Sequence, residues 1–202
     1  HVFEICGGSI THLLDSLYKR KDIQAVSVHH EQAAAFAAEG YSRSGGNIGV
    51  AMATSGPGAT NLMTGIASCF FDSIPCVFIT GQVNTYEFKF KKPVRQVGFQ
   101  ETDIVNLVKP ITKYAALITE PDKIRYYLEK AFYMAKSGRP GPVLLDIPMN
   151  IQRAEINPKS LMPFRPDTFN ESYKKPDNGI IKKVVLSIKF SSRPVVLIGG
   201  GL

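Results

Sequence analysis

Cysteine is scarce in this chain, with three residues in 202: Cys6, Cys69 and Cys76. They form no CxxC and no even framework, which excludes a disulfide scaffold and a cysteine-based zinc module. Cys69 and Cys76 stand in apolar surroundings and read as small hydrophobes, which fits a reducing, cytoplasmic setting. No apolar run approaches the roughly 20 residues of a membrane span, and no signal peptide opens the chain. Neither paired Cys/His spacing nor an aromatic RNP motif is present, so the common nucleic-acid modules drop out. Internal repeats and low-complexity tracts are absent. So is an opening methionine: the chain begins on His1 inside what reads as a strand, and both ends are expected to be cuts within a longer protein.

What remains is ordinary globular composition, 44% hydrophobic and 20% charged. The length suits one full domain and part of another. The net charge is +7 and the pI about 9.3. The basic residues are dispersed over Lys19–Lys21, Lys89–Arg95, Lys174–Lys175 and Lys182–Lys183. That distribution reads as solvated surface, so no nucleic-acid or membrane partner is expected.

Strands and helices alternate along the first three quarters of the sequence. Strands are predicted at 2–5, 24–28, 48–54, 76–80, 113–118 and 142–147. Helices are predicted at 9–20 with Ser9 as N-cap, at 31–43, 58–70 and 102–109, and at 121–137. In the last of these, Pro121 takes the first position, Gly138 follows the end, and Ile124, Leu128, Ala131 and Ala135 form an inward stripe. The strands are near-continuous apolar runs, as in a sheet buried on both faces. The expected fold is α/β: a parallel six-stranded sheet with helices on both faces, in three layers. Residues 1–165 make this domain. Residues 166–202 read as linker, with a helix near 178–190, and then the first strand and glycine turn (193–201) of a truncated second α/β domain. The stretch 148–193 is proline-rich, with five of the chain's 13 prolines.

Chemistry concentrates in the loops after the first four strands, which a parallel sheet brings to one edge. "TSGPGATN" (54–61) is a glycine-rich turn into a helix. It is not a P-loop, having no lysine. It is not a dinucleotide fingerprint either, because Asn61 stands where the third glycine belongs and the next strand ends without an acid. Gly56 and Gly58 would instead let backbone approach a ligand ring, with Pro57 stiffening the turn. "HHEQAAAFAAEG" (29–40) puts Glu31 in the first turn of a helix otherwise built from alanine and phenylalanine. A carboxylate there is either a dipole partner or a group aimed inward. Glu39 and Arg43, at i,i+4, read as a surface ion pair. "CGGS" (6–9) supplies two more glycines at the same edge. In "GFQET" (98–102), Phe99 and Gln100 are candidates for lining a pocket, while Glu101 and Asp103 suit the first turn of the next helix.

Taken together, "GG" (7–8), "HHEQAAAFAAEGYSR" (29–43), "TSGPGATN" (54–61), "DSIPCVFITGQV" (72–83), "GFQETDIV" (98–105) and "SGRPGPVLLDIP" (137–148) resemble the N-terminal pyrimidine-binding domain of thiamine-diphosphate enzymes, nearest the acetolactate synthase (acetohydroxyacid synthase) group. The likeness runs in order over residues 2–150. It implies that Glu31 hydrogen-bonds the aminopyrimidine of thiamine diphosphate and favours the imino tautomer that takes the proton from the thiazolium carbon. A dry pocket, to which Ala34, Ala35 and Ala38 contribute, would strengthen that bond. It also implies cofactor contacts from Gly7, Gly8, Pro57 and Asn61, a substrate side formed by Phe99 and Gln100 with Gln100 sharing in catalysis, and an FAD contact at Arg139.

Mg²⁺ and the diphosphate would be held by a separate C-terminal domain with a GDG…N motif, which this sequence does not contain. A 2-oxo acid substrate and a homodimer or homotetramer are implied. Two departures stand out: Met149 occupies a position where acetolactate synthases usually carry lysine, and the loop 84–97 is longer and more basic than theirs. A thiamine-diphosphate decarboxylase or other lyase shares the same core motifs. From other classes, a Rossmann-like nucleotide-dependent oxidoreductase and a non-catalytic binding module with Glu31 as a mere cap are the competing readings.

Overall fold

The computed structural model describes residues 1–89, 92–166 and 175–199. It separates into two compact units, His1–Phe164 and Arg165–Leu202. In the first, six strands form one sheet: β1 (Val2–Glu4), β2 (Ala25–Ser27), β3 (Gly49–Ala53), β4 (Cys76–Gln82), β5 (Tyr114–Leu117) and β6 (Val143–Pro148). Their order is β2-β1-β3-β4-β6-β5, and every pairing is parallel. The interior strands β3 and β6 are buried along their whole length, as their largely apolar sequences require; the exception in β6 is Asp146, which accepts from Thr80 and Gln82.

Helices cover both faces. On one face α2 (Glu31–Gly45), α4 (Met63–Asp72) and α5 (Ile104–Val108) pack on Ala51, Ala53, Phe78 and Leu144. The alanines let α2 sit close: a Cβ on Gly49 would stand 1.9 Å from the Ala38 carbonyl oxygen, and one on Gly65 of α4 would stand 2.4 Å from the Ala35 Cβ. On the other face lie α1 (Thr11–Tyr18) and α6 (Ile124–Lys136). Between them a cleft of about 830 Å³ is floored by Val50, Met52, Ile79 and Ile147. Of the predicted α6 stripe, Ala131 and Ala135 are fully buried, and Ile124 and Leu128 line this cleft.

Four local expectations need correction. Ser9 caps no helix: a 3₁₀ turn over Gly8–Ile10 precedes α1, and the Ser9 hydroxyl is spent on Thr54 and Ser55 across the sheet edge. The predicted helix 58–70 is two, α3 (Pro57–Asn61) and α4, meeting at Leu62. Glu39 is only 5% exposed, so its pair with Arg43 is not a surface pair; Arg43 also reaches Asp72, and Ser68 donates to Glu39 at 3.1 Å. Glu101 does not open α5. Its two oxygens accept from Lys89 N (2.7 Å) and Val97 N (2.9 Å), closing the long loop, while Asp103 alone is the N-cap.

The second unit contains α8 (Asn178–Phe190), capped by Asp177. Residues 194–199 form no strand, and Val195 and Leu197 are more than nine-tenths exposed. An apolar run becomes a strand only when another strand is there to pair with it. The expected glycine turn from Gly200 onward, Lys174, and Phe90–Lys91 of the basic loop lie outside the described residues.

Candidate functional site

All six strands run the same way, so their carboxyl ends share one edge. The strand order reverses between β1 and β3, the switch point at which open α/β sheets take ligands. The loop 5–10 after β1 and the loop 54–56 after β3 meet there. Ser9 N donates to Thr54 Oγ1 at 3.1 Å, the two hydroxyls lie 2.8 Å apart, and Ser55 N donates to Ser9 Oγ at 2.7 Å. Gly7 is required by this contact, since a Cβ would stand 2.4 Å from the Thr54 Cβ.

Glu31 occupies the first turn of α2 at this edge, but it does not cap the helix. His30 does, its Nδ1 accepting from Gln32 N at 3.1 Å. The half-buried Glu31 carboxylate instead crosses to α3, where Asn61 Nδ2 donates to Oε2 at 2.9 Å. Among the described residues Oε1 accepts no further bond. It lies beside Gly58, where a Cβ would stand 3.2 Å from it and 2.7 Å from Thr54 Cγ2. Bare backbone at Gly58 thus lies directly against a carboxylate oxygen and the Thr54 side chain, with no room for a side chain at position 58.

Gly56, with φ +64°, turns the chain into α3, and Pro57 follows at the first helical position. A Cβ on Gly56 would stand 2.6 Å from the Cβ of Gln100. Gln100 itself has φ +59°, a strained backbone for a residue with a side chain. Two neighbours hold it there: Thr102 Oγ1 donates to the Gln100 carbonyl at 3.3 Å, and Gln82 Nε2 donates to the Thr102 carbonyl at 2.7 Å. Gln82 Nε2 also donates to Asp146 Oδ2 at 2.9 Å, and Thr80 Oγ1 donates to Oδ1 at 2.7 Å. Burial pushes the Asp146 carboxyl up to about 7 against the pull of those two donors.

A cavity of about 330 Å³ opens between the loops after β1, β3, β4 and β6. Its walls include Gly8, Thr54, Asn84, Phe99, Gln100 and Met149. Phe99 is 80% exposed at its rim. The residues expected at the site therefore converge with one exception. Glu31, Asn61, Pro57, Gly7, Gly8, Phe99 and Gln100 share the carboxyl edge. Arg139 lies ahead of β6, at the amino edge, where its Nε donates to Ser73 Oγ at 2.7 Å. Sequence patterns missed Thr54, Ser9 and Asn84. Ser9 and Thr54 lie within CGGS and TSGPGATN, yet no pattern marks a hydroxyl or amide just past a strand as part of a cavity wall, and the register β1–β3–β4 is what brings these three together.

Comparison with known proteins gives the chain a family. Residues 1–107 match the model of the "thiamine pyrophosphate enzyme, N-terminal TPP binding domain" family. The chain is 41% identical over 204 residues to a chloroplastic acetolactate synthase of Arabidopsis thaliana, covering 99% of this chain and 29% of that protein. It is 39% identical over 208 residues to an acetolactate synthase of Arthrospira platensis, covering 100% of this chain and 34% of that protein. To the acetolactate synthase isozyme 3 large subunit of Escherichia coli it is 38% identical over 205 residues, with 99% and 34% covered. It thus spans about a third of these relatives' length. A turn that needs Gly58 bare, a helix-first-turn carboxylate released from capping, and a family match over the same residues lead to one conclusion: the chain belongs to the thiamine pyrophosphate enzymes and carries their N-terminal TPP-binding domain.

Proposed function

We propose that this chain is the pyrimidine-holding part of a thiamine-diphosphate-dependent carboligase of the acetolactate synthase kind, which decarboxylates a 2-oxo acid such as pyruvate and passes the acyl unit to a carbonyl acceptor. The observation that carries it is the Glu31 carboxylate, half-buried, held by Asn61 and left uncommitted at Oε1 over the backbone of Gly58. That arrangement fits an aminopyrimidine: a flat ring needs backbone without Cβ beneath it and a carboxylate oxygen at its edge. Thiamine diphosphate, when bound, would supply a nucleophilic carbon for chemistry at the 2-oxo acid.

The chain's own residues do the rest. Glu31 Oε1 takes a hydrogen bond from a ring N–H and holds that proton. Asn61 fixes the carboxylate's orientation. Ala34, Ala35 and Ala38, all fully buried, give α2 a dry face toward the sheet, so that water reaches the half-buried Glu31 from one side only when the ring is absent. Gly7 and Gly8 give the ring access, Pro57 stiffens the turn, and Phe99 and Gln100 face the substrate.

The remaining proposals concern the whole enzyme. Mg²⁺ and the diphosphate would be held by a further domain of the longer protein, facing this one in a homodimer or homotetramer, and residues 166–202 would lead into a central domain. FAD would meet Arg139 at a place separate from Glu31. Supporting it is a cleft of about 290 Å³ where Phe70 and Phe71 lie beside Arg139, aromatic faces and a guanidinium suited to an anionic, ring-bearing ligand. A cytosolic location is likewise proposed; no helix among the described residues is long and apolar enough to cross a membrane.

Titration calorimetry of the full-length protein tests the reading. Thiamine diphosphate with Mg²⁺ should bind, NAD should not, and the loaded protein should consume pyruvate. Binding of NAD in place of thiamine diphosphate would favour the oxidoreductase reading.

A further inference from the structure

We propose that Met149 fits the acceptor side of this site to an uncharged aldehyde or ketone in preference to a second 2-oxo acid. This inference rests on the carboligase reading and narrows its substrate class.

Met149 opens α7 (Met149–Gln152), a single turn directly after β6 at the carboxyl edge. The turn is fastened on both sides. Thr85 N donates to Asn150 Oδ1 and Asn150 Nδ2 donates to Thr85 Oγ1, each at 2.9 Å. Gln152 Nε2 donates to the carbonyls of Ser9 (2.6 Å) and Ile147 (2.7 Å). Met149 is thereby held in the wall of the 330 Å³ cavity that Gln100 and Phe99 also line. Its thioether offers neither charge nor a hydrogen-bond donor.

The rest of the lining tells against a carboxylate as well. Ser9, Thr54, Ser55, Asn84 and Gln100 are neutral, and among the described lining residues the one ionisable side chain is the acid Glu87. Its Oε2 is fixed by Asn84 N (2.9 Å) and Asn84 Nδ2 (2.6 Å), so it cannot swing clear without breaking that box. The Arg153 guanidinium donates to Asn84 Oδ1 at 3.3 Å and Tyr86 Oη at 3.5 Å and is not among the lining residues. The donor loses its carboxylate as carbon dioxide before the new bond forms, whereas an acceptor bearing a carboxylate would keep it beside the Glu87 acid and the Met149 thioether through the bond-forming step. An uncharged carbonyl would meet hydroxyl and amide donors that can take up charge developing on its oxygen.

The reaction balances without any oxidant. The C1–C2 bond of the 2-oxo acid breaks, and carbon dioxide leaves. The electron pair left on C2 forms the new bond to the acceptor carbonyl carbon. The acceptor's π pair moves to its oxygen, which takes one proton. The product is an uncharged 2-hydroxyketone.

The test is product analysis by NMR on the full-length holoenzyme with pyruvate alone, with equimolar propanal, and with equimolar butanone. Mixed hydroxyketones should exceed acetolactate by about tenfold or more in the wild type. Met149→Lys should shift that ratio about tenfold toward acetolactate, with an unfolding midpoint within about 3 °C of wild type. Acetolactate as the main wild-type product would overturn the inference and leave the carboligase reading standing. So would an unmoved ratio in a folded Met149→Lys enzyme. No carbon–carbon product in any arm would overturn the carboligase reading itself, and this inference with it.

Discussion

Glu31 and Glu39 sit on one helix eight residues apart, and their neighbours give them opposite roles. Glu39 is covered by α4 and accepts from Arg43 and Ser68, a structural anchor between two helices. Glu31 has one amide partner and one oxygen facing open backbone. The i,i+4 spacing made the Glu39–Arg43 pair legible in the sequence. Its burial was not, because Ser68 and Asp72 arrive from 29 residues away. Replacing Glu39 with alanine should cost about 1–2 kcal/mol in urea unfolding, discounted for the half-exposed Arg43. Gly58→Ala should act differently. Its Cβ intrudes between Thr54 and Glu31, so thiamine-diphosphate affinity of the full-length protein should fall about tenfold or more. Folding stability should drop by about 1–3 kcal/mol. Calorimetry and urea unfolding of the same sample separate the two effects.

Among the elements, the six strands were readable as apolar runs, down to the three-residue β1 and β2, and the α2 and α6 helices by length, period and flanking glycine or proline. The errors fell where partners decide. Ser9 looked like a cap until Thr54 claimed it, and residues 194–199 looked like a strand although no neighbouring strand pairs with them. Close packing of α2 on β3 is the least forgiving contact. Gly49→Ala, which drives a Cβ into the Ala38 carbonyl, should destabilise the first unit by about 3 kcal/mol or more, read as a lowered urea midpoint at unchanged slope.

Asp146 links β6 to the Gln100 segment through Gln82, and it gives the fold a pH signature. Its folded value is raised above the ordinary carboxylate value by burial, so the protonated form is the one the native state favours. The stabilising contribution is present below about pH 4 and lost as pH rises toward about 7. Stability of the wild type should therefore fall more steeply between pH 4 and 7 than that of Asp146→Asn, by on the order of a few kcal/mol. Urea midpoints taken at intervals across that range check the slope.

For the whole molecule, the carboxyl edge of the sheet was legible as a site because four glycine- or acid-bearing loops converge there. The cavity's polar walls were not, since they depend on strand order. On the proposed reading this edge takes the pyrimidine half of thiamine diphosphate. The 202-residue chain alone should be folded, bind thiamine diphosphate weakly and turn over no 2-oxo acid; decarboxylation by the pure chain would show that it needs no further domain. The central claim, that Glu31 activates the cofactor and does not merely start a helix, is tested most directly by hydrogen–deuterium exchange at the reactive carbon of bound thiamine diphosphate. The comparison is full-length wild type against Glu31→Gln at saturating cofactor. The expected result is exchange slowed by about a hundredfold or more in the variant, with the unfolding free energy within about 1 kcal/mol of wild type. Exchange at the wild-type rate in the folded, cofactor-saturated variant would contradict it.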